Sequence, residues 1–178
     1  EECLDGNIVA MSPRPSVNHN RIIGNLHHIF FHYLQGKRCE VFADGVDVIL
    51  TERDRVIPDL MIVCDPEKIH PDGVYGAPDL IVEVLSPGTA KRDRGYKKDL
   101  YERCGVREYW IVSPTDRSIE VYLLEQEAYR LDQVYAILPD FLWNKMTDEE
   151  KADAPMEFRC SLFDGLVISL EKAFERTF

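Results

Sequence analysis

A glutamate lies inside a run of aliphatic residues near the middle of the chain, in the segment APDLIVEVLSPGT that begins at Ala77. Glu83 has a valine on each side, and no lysine or arginine occurs within five residues of it. If this run is a β-strand, an isolated ionised carboxylate buried there would cost several kcal/mol. Glu83 therefore needs a cation, a hydrogen-bond donor or a water-filled cleft, unless the strand lies at a sheet edge with one face in solvent.

A second carboxylate occurs in a similar setting earlier in the chain. The runs IPDLMIV and APDLIVEV each place Pro-Asp at the start of an apolar segment. If the two runs are neighbouring strands, Asp59 and Glu83 converge, and two close carboxylates repel each other unless a cation lies between them. Hard divalent ions such as Mg²⁺ bind one or two carboxylates together with water and substrate phosphates, which suits phosphodiester cleavage. Alternatively, the repeat reflects only two strands that start with a rigid proline and a turn-favouring aspartate.

Charged side chains recur at helical spacing just after this strand. The segment TAKRDRGYKKDLYERCGV predicts a helix of about a dozen residues that ends at Gly105. Within it, Asp93, Lys97 and Tyr101 fall at i, i+4 and i+8 and therefore share one helix face. Lys98 lies about 100° further round the helix, off that face.

Apolar patterns predict the elements that would hold these groups. ECLDGNIVAM reads as a hairpin that turns at Asp5-Gly6, and apolar residues at helical spacing predict a helix from about Val17 to Leu34. Seven strand-like runs follow: CEVFA, GVDVIL, RVIPDLMIVC, PDLIVEVLS, REYWIV, SIEVYLLE and AYRLDQVYA. The last two predict a closing hairpin. CSLFDGLVISLEKAFERTF predicts a turn, a short strand and a terminal helix.

The helix that joins two of these runs suggests the architecture. Because LIVEVL and EYWIV are separated by the basic helix, the two strands can pair in parallel through a right-handed crossover. The sequence therefore predicts an α/β fold, with a mixed β-sheet flanked by helices.

Composition predicts one soluble domain. A chain of 178 residues with 45% apolar residues fits a single domain over residues 1–178. No apolar run approaches the roughly 20 residues needed to cross a bilayer, and the start lacks the pattern of a signal peptide. We expect a cytoplasmic protein with no membrane partner. Five cysteines without a CxxC pair argue against a disulfide framework or a thiolate zinc site and predict free thiols, mostly buried.

Charge is unevenly distributed along the chain. The net charge of −11 opposes non-specific attraction to nucleic acid or to anionic membranes. Between Gly88 and Arg107, however, basic residues outnumber acidic ones. Arg92 and Arg94 in this stretch could contact phosphates, although a basic helix face is more often simply solvated.

Other polar residues have a functional and a structural interpretation. Asp79 would share a strand face with Glu83, but at the entrance of the strand it more often caps a turn. His19, near the start of the first helix, could contact substrate or could cap and pack. His28 and His32 are spaced to chelate a transition metal, but without an evident third ligand a solvated helix face is favoured.

A predicted hairpin contains two further aspartates. Asp44 and Asp47 flank Gly45-Val46, where turn and surface positions are favoured. A strand beside Asp59 could nevertheless bring Asp47 near a metal ion.

The order of these motifs resembles a known superfamily and, more narrowly, a known family. Pro58-Asp59 followed by Glu83-Val84-Leu85 resembles the PD-(D/E)XK nucleases, whose restriction-endonuclease-like core carries an Asp, a Glu or Asp, and a Lys. More narrowly, this sequence resembles the Uma2 family of endonucleases, formerly DUF820, from about Glu2 to Leu123. The resemblance lies in these motifs and residues: LDGNIVAMSP with His19, IPDLMIV, APDLIVEVLSPGT, Asp93, Lys97, Tyr101 and GVREYWIV.

One position departs from the superfamily pattern. Leu85 stands two residues after Glu83, where the motif lysine would be. Lys97 matches the Uma2 pattern, which resembles superfamily members whose lysine has moved from the strand to the adjacent helix.

The resemblance implies a restriction-endonuclease-like fold and metal-assisted hydrolysis of nucleic acid, with DNA as the expected partner and a homodimer as the expected assembly. It implies that Asp59, Glu83 and the backbone carbonyl of Val84 hold Mg²⁺ or Mn²⁺, while Lys97 orients the attacking water or offsets the charge on phosphorus. His19, Asp79, Asp93, Tyr101, Arg92 and Arg94 are substrate-contacting or supporting candidates. Two alternatives stay open: a catalytically silent binding or assembly module, favoured by Leu85 and the acidic surface, and hydrolysis of another phosphodiester such as a nucleotide.

Overall fold

The computed structural model describes residues 1–10, 15–43 and 45–178. In chain order its strands and helices are β1 (Glu2–Leu4), β2 (Asn7–Val9), α1 (Val17–Leu34), β3 (Glu40–Ala43), β4 (Val48–Ile49), β5 (Arg55–Val56), β6 (Leu60–Val63), β7 (Ile69–His70), β8 (Gly73–Tyr75), β9 (Leu80–Val84), α2 (Ala90–Arg92), α3 (Lys98–Cys104), β10 (Glu108–Ser113), β11 (Ser118–Glu125), β12 (Ala128–Ala136), α4 (Asp140–Trp143), α5 (Asp148–Ala152), β13 (Glu157–Arg159), β14 (Val167–Ser169) and α6 (Leu170–Ala173). A short 3-10 turn, Pro66–Lys68, precedes β7, and a π-helical turn, Asp93–Lys97, joins α2 to α3.

The predicted mixed sheet is confirmed and carries the motifs. Within the described residues, its strand order is β12-β11-β10-β9-β6-β3. The strands β9 and β10 pair in parallel, with Ile111 beside Glu83, and the helical segment α2–α3 makes the crossover between them. All other neighbours in this sheet are antiparallel, including β9 with β6 and the closing hairpin β11–β12.

Helix α1 covers one face of this sheet. It spans the predicted residues, and Ser16 caps its start by accepting a hydrogen bond from the amide of His19. Its buried stripe, which includes Leu26 and Phe30, packs on alternate strand residues such as Val82 and Trp110. The opposite face of the sheet buries a second apolar cluster, and it is on this face that the odd-numbered residues of β9 point.

A second sheet forms beside the first. In the described part of the chain its order is β2-β1-β5-β4-β8-β7, and it includes the predicted N-terminal hairpin, which turns at Asp5-Gly6. The prediction of a hairpin around Gly45-Val46 is wrong. Strand β3 pairs with β6 in the main sheet, whereas β4 pairs with β5 and β8 in the second sheet. Asp44 lies outside the described residues.

The prediction of free cysteines is wrong for one pair, since Cys39 and Cys64 form a disulfide. In the register of β3 and β6, Glu40 lies opposite Val63. One further step along this register brings Cys39 opposite Cys64, although the two residues are 25 positions apart in sequence. The remaining thiols are free: Cys160 is buried, and Cys3 and Cys104 are half-buried.

The C-terminal segment packs on the α1 side of the sheet. The predicted short strand is β14, and the predicted helix α6 follows it directly. Strand β14 also pairs with β13 in a hairpin that was not predicted. Phe158, Ile168 and Phe174 join the core that contains Trp110. The acidic stretch before this segment forms the exposed helix α5, which begins with a capping box at Thr147.

Within residues 1–10, 15–43 and 45–178, no helix is both long and apolar enough to span a membrane.

Candidate functional site

Glu83 lies in the interior of the main sheet. Strand β9 is flanked by β6 and β10, so the interpretation of a solvated edge strand is wrong. Glu83 as a whole residue is only 3% exposed, and its Oε1 atom accepts two hydrogen bonds, from Lys97 Nζ at 2.8 Å and from the Tyr101 hydroxyl at 2.7 Å. The buried charge is thus matched by a cation and by a neutral donor, both from the helical segment that follows.

Asp59 approaches Glu83 from the neighbouring strand. In the antiparallel register of β6 and β9, Leu60 lies opposite Val82, so the next step brings Asp59 opposite Glu83. Asp59 Oδ2 accepts the backbone amide of Val84 at 2.7 Å and lies 3.3 Å from His19 Nε2. The start of α1, the start of β6 and the end of β9 therefore meet at one place.

The repeated Pro-Asp motif has a structural cause. Asp79, just before β9, accepts the backbone amide of Cys64, just after β6, at 2.7 Å. The bond from Val84 to Asp59 is its counterpart at the other end of the same antiparallel pair. Asp79 also pairs with Arg107 at 2.9 Å and lies at the end of β9 away from Glu83, so the structure does not bring it to the site.

A change of helical geometry helps to place the helix-borne residues. Between α2 and α3 the helix widens into the π-helical turn, where Gly95 has non-helical angles of φ −111° and ψ −105°. Asp93, Lys97 and Tyr101 are all buried. Lys98 instead lies over the ring of Tyr122, with its Nζ 4.8 Å from the ring centroid.

A fourth carboxylate reaches the site from the N-terminal hairpin. Glu2, in β1, is buried, and its Oε1 atom lies 2.7 Å from Lys97 Nζ. The same oxygen accepts the backbone amide of Ile57 at 3.1 Å. Sequence reasoning missed Glu2, because its position depends on the pairing of β1 with the distant strand β5. The available signal was an acidic residue on the apolar face of a predicted hairpin strand, two residues before Leu4.

Burial and crowding perturb the ionisation of these groups. Burial raises the pKa of Glu83 above its ordinary value; Lys97 opposes this shift, and the carboxylates of Asp59, Asp93 and Glu2 add to it. Burial also raises the pKa of Asp93. For Lys97, burial would lower the pKa, but the surrounding carboxylates more than offset this effect, so its pKa is raised and it stays protonated.

Asp93 is the least satisfied member of the cluster. It is 1% exposed, and in the described part of the chain neither of its buried carboxylate oxygens makes a well-formed hydrogen bond, although the Thr89 side chain is near enough to lower its pKa. Buried acceptors of this kind are rare and call for a water, an ion or a proton. Its backbone carbonyl does have a partner, because it accepts the Tyr109 hydroxyl at 3.0 Å.

Half of the six cations in the helical segment from Ala90 to Cys104 form ion pairs within the described part of the chain. Arg94 binds Glu120 at 2.6 Å, and Arg103 lies 3.5 Å from Asp54. Arg92 differs from Arg94, because its Nε atom is buried without a hydrogen-bond partner among the described residues. The stretch from Gly88 to Arg107 therefore presents fewer unpaired positive charges at the protein surface than its sequence suggests.

The remaining candidates lie away from Glu83. His28 and His32 stack on each other with ring centroids 6.4 Å apart, and they line a cleft of about 620 Å³ between α1 and the C-terminal segment. Asp47 pairs with Arg55 at 3.1 Å beside another cleft of about 650 Å³.

A smaller cleft adjoins the site itself. It has a volume of about 320 Å³ and lies beside His19, where the segments after β9 and β10 approach the start of α1. Its lining includes Ser16, Ser86, Pro87 and Thr115. Its position next to Asp59 and its partner His19 makes it more relevant to the site than the two larger clefts.

The mixed sheet, its flanking helices and the placement of the motifs define an α/β protein with a restriction-endonuclease-like fold. Comparison with solved structures supports this class: a DUF820 protein from Anabaena variabilis, described as a putative nuclease, superposes with a TM-score of 0.71 at 17% identity, covering 97% of this chain and 88% of that one. At this identity the likeness shows the fold alone.

The chain belongs to the Uma2 family, described as "Putative restriction endonuclease", whose family model matches residues 1–147. Two relatives come from Synechocystis sp., and both are uncharacterized proteins. The protein slr1290 is 35% identical over 123 residues, or 68% of this chain and 64% of its own length. The protein sll1609 is 26% identical over 161 residues, or 88% of this chain and 82% of its own length. The chain thus spans slightly less than two thirds of slr1290.

Proposed function

We propose that this protein hydrolyses phosphodiester bonds of nucleic acid with the help of a divalent metal ion. The observation that carries the proposal is an excess of carboxylates at one place. Glu2, Glu83 and Asp93 are buried around a single lysine, Lys97, and the half-buried Asp59 adds its charge beside Glu83. A cation would relieve their repulsion, and the raised pKa of Glu83 is the signature of that repulsion together with burial.

The residues present fit Mg²⁺ or Mn²⁺ better than a softer metal. Among the described residues, no group of three or more His, Cys, Asp and Glu side chains is arranged to hold one ion. Mg²⁺, however, is commonly bound through one or two carboxylates and keeps several waters. Asp59 and Glu83 would supply these two carboxylates and the Val84 carbonyl a third oxygen, while the buried oxygens of Asp93 would accept from bound water.

The residues around Glu83 each have a defined part in the proposed reaction. When bound, the metal ion would polarise a phosphate oxygen and lower the pKa of a water molecule. Lys97, held beside Glu83, would offset the negative charge that builds on the phosphate. Tyr101 would orient the Glu83 carboxylate through its hydroxyl, and His19 would orient Asp59. The lysine from the helix would thus replace the strand lysine that Leu85 has displaced.

Membership of a family described as restriction endonucleases favours DNA as the substrate. A homodimer would place one such site on each strand of a duplex, which offers one way to bind DNA despite a net charge of −11.

A cleavage assay with matched lysine variants tests the proposal. Single- and double-stranded DNA and RNA would be incubated with the wild-type protein and Mn²⁺. We expect cleavage of at least one substrate, abolished by Glu83→Gln or Lys97→Met. Lys98→Met is the control, since Lys98 is adjacent in sequence but lies over Tyr122 and should leave cleavage intact.

One feature favours a silent binding module as the second candidate. Lys97 is ion-paired with both Glu83 and Glu2, so the cluster can persist as a structural ion-pair network. Titration of Mn²⁺ into the wild-type protein and the Glu83→Gln variant distinguishes the two functions. Equal heats of Mn²⁺ binding in the wild type and in Glu83→Gln, together with no cleavage of any substrate, would favour the silent module.

A further inference from the structure

Lys97 has two carboxylate partners of nearly equal distance. Its Nζ atom lies 2.7 Å from Glu2 Oε1 and 2.8 Å from Glu83 Oε1, and all three side chains are 4% exposed. The two carboxylates come from different sheets, because Glu2 belongs to β1 and Glu83 to β9. The ammonium group is therefore held between the N-terminal hairpin and the central strand.

A lysine borne by a helix needs such an anchor more than a lysine borne by the strand. A lysine at position 85, directly after β9, would leave the backbone beside Glu83, but that position is occupied by leucine. Lys97 reaches the site from the π-helical turn that contains the non-helical Gly95. Its flexible four-carbon stem does not fix the ammonium group by itself, so its partners must do so.

Metal binding would change the balance between these two partners. A divalent ion on Glu83 would compete with Lys97 for the same carboxylate and repel the ammonium group. We propose that Glu2 is a positioning residue, which retains Lys97 beside Glu83 when the ion occupies that carboxylate. This inference rests on the proposed function and adds a role for a residue outside the Asp59, Glu83 and Lys97 set.

The contacts of Glu2 allow a selective substitution. Besides Lys97, its Oε1 atom accepts the backbone amide of Ile57, which lies two residues before Asp59. In Glu2→Gln the side-chain amide oxygen can still accept the hydrogen bond from Ile57. The variant therefore removes the negative charge but keeps the bond that holds the segment before Asp59. Glu108→Gln is the matched control, because Glu108 is also buried in a strand but binds Trp110 and Ser161.

A double-mutant cycle on Mn²⁺ affinity tests the role of Glu2. Calorimetry would compare wild type, Glu2→Gln, Lys97→Met and the double variant, with thermal melting of each as a check of folding. Without the Glu2 charge, Lys97 has only Glu83 as a carboxylate partner, and the ion must break that pair. We expect Glu2→Gln to weaken Mn²⁺ binding about tenfold when Lys97 is present, and less than about threefold in the Lys97→Met background.

The alternative outcomes are distinct. Equal weakening in both backgrounds would mean that Glu2 acts on the ion directly, and no weakening in either would mean that it is only structural; both results would overturn the inference while leaving the proposed function intact. Absence of Mn²⁺ binding by the wild-type protein would overturn the inference and the proposed function together. Glu108→Gln should bind Mn²⁺ as the wild type does.

Discussion

Asp59 and Asp79 make the same hydrogen bond at opposite ends of one strand pair. Asp59 directly precedes β6 and accepts a hydrogen bond from the backbone amide of Val84, the last residue of β9, at 2.7 Å. Asp79 directly precedes β9 and accepts one from the amide of Cys64, the residue after β6, also at 2.7 Å. The approximate two-fold symmetry of an antiparallel pair relates the two bonds. Only Asp59 has Glu83 opposite it, so the two aspartates share a structural role but differ in their electrostatic surroundings.

This symmetry yields a matched pair of variants. Asp59→Asn and Asp79→Asn each keep an oxygen that can accept the backbone amide, so both should melt close to the wild-type temperature, with a small extra loss in Asp79→Asn from its pair with Arg107. Mn²⁺ affinity measured by calorimetry should fall at least about tenfold only in Asp59→Asn, because only this variant removes a ligand charge. Similar affinities in the two variants would exclude Asp59 from the metal site.

The two arginines near the start of the basic helix should differ in nucleic-acid binding. Arg94 already pairs with Glu120, whereas Arg92 forms no ion pair within 4 Å among the described residues and only attracts Asp93 at longer range. Arg92→Gln should therefore reduce the salt dependence of DNA binding by about one counterion, and Arg94→Gln should leave it unchanged. Fluorescence anisotropy over a range of salt concentrations measures both slopes, and a larger effect of Arg94→Gln would contradict this assignment.

The disulfide between Cys39 and Cys64 should stabilise the fold. Closing a loop of 25 residues contributes about 3 kcal/mol by restricting the unfolded chain. For a protein of this size, a loss of that magnitude lowers the melting temperature by about 6 to 12 °C. Thermal unfolding with and without a phosphine reductant measures the difference. The double variant Cys39→Ser/Cys64→Ser should melt at the lower temperature in both conditions, and a wild type insensitive to reductant would contradict the prediction.

Glu108 should make stability depend on pH. Burial raises its pKa above the ordinary value of 4.5, while hydrogen bonds from Ser161 and Trp110 oppose the shift. A carboxylic acid with a raised pKa binds more protons in the folded state, so its contribution to stability is complete below pH 4.5 and is lost as the pH rises through the raised pKa. Glu108→Gln removes this titration.

Urea unfolding at a series of pH values measures this effect as a difference between proteins. The stability of the wild type relative to Glu108→Gln should decrease as the pH increases above 4.5. Parallel stability curves for the two proteins would show that Glu108 does not titrate differently in the folded and unfolded states.

Local patterns were sufficient to predict the central elements of the fold. The bounds of α1, from Val17 to Leu34, follow from its apolar spacing and its cap. The parallel pair of β9 and β10 follows from two apolar runs joined by a helix, because such crossovers are almost always right-handed. The shared face of Asp93, Lys97 and Tyr101 is maintained despite the π-helical turn, which nothing in the spacing predicted.

Features that depend on distant strand pairing could not be predicted. The disulfide requires the register of β3 with β6, and the place of Glu2 requires β1 to lie beside β5. The second sheet consists of strands of two or three residues, which are too short to show a periodic pattern. These strands nevertheless supply the anchor of Lys97.

The contacts of Glu108 show that the sheet packs against residues beyond the part of the chain that matches the family. The match to the family ends at residue 147, yet Glu108 in the central sheet binds Ser161, and Phe158 and Phe174 complete the core around Trp110. A recombinant fragment cut at the signature boundary would keep Asp59, Glu83 and Lys97 but would leave the α1 side of their supporting sheet partly uncovered. The segment that holds the proposed chemistry thus depends on a segment outside the family signature.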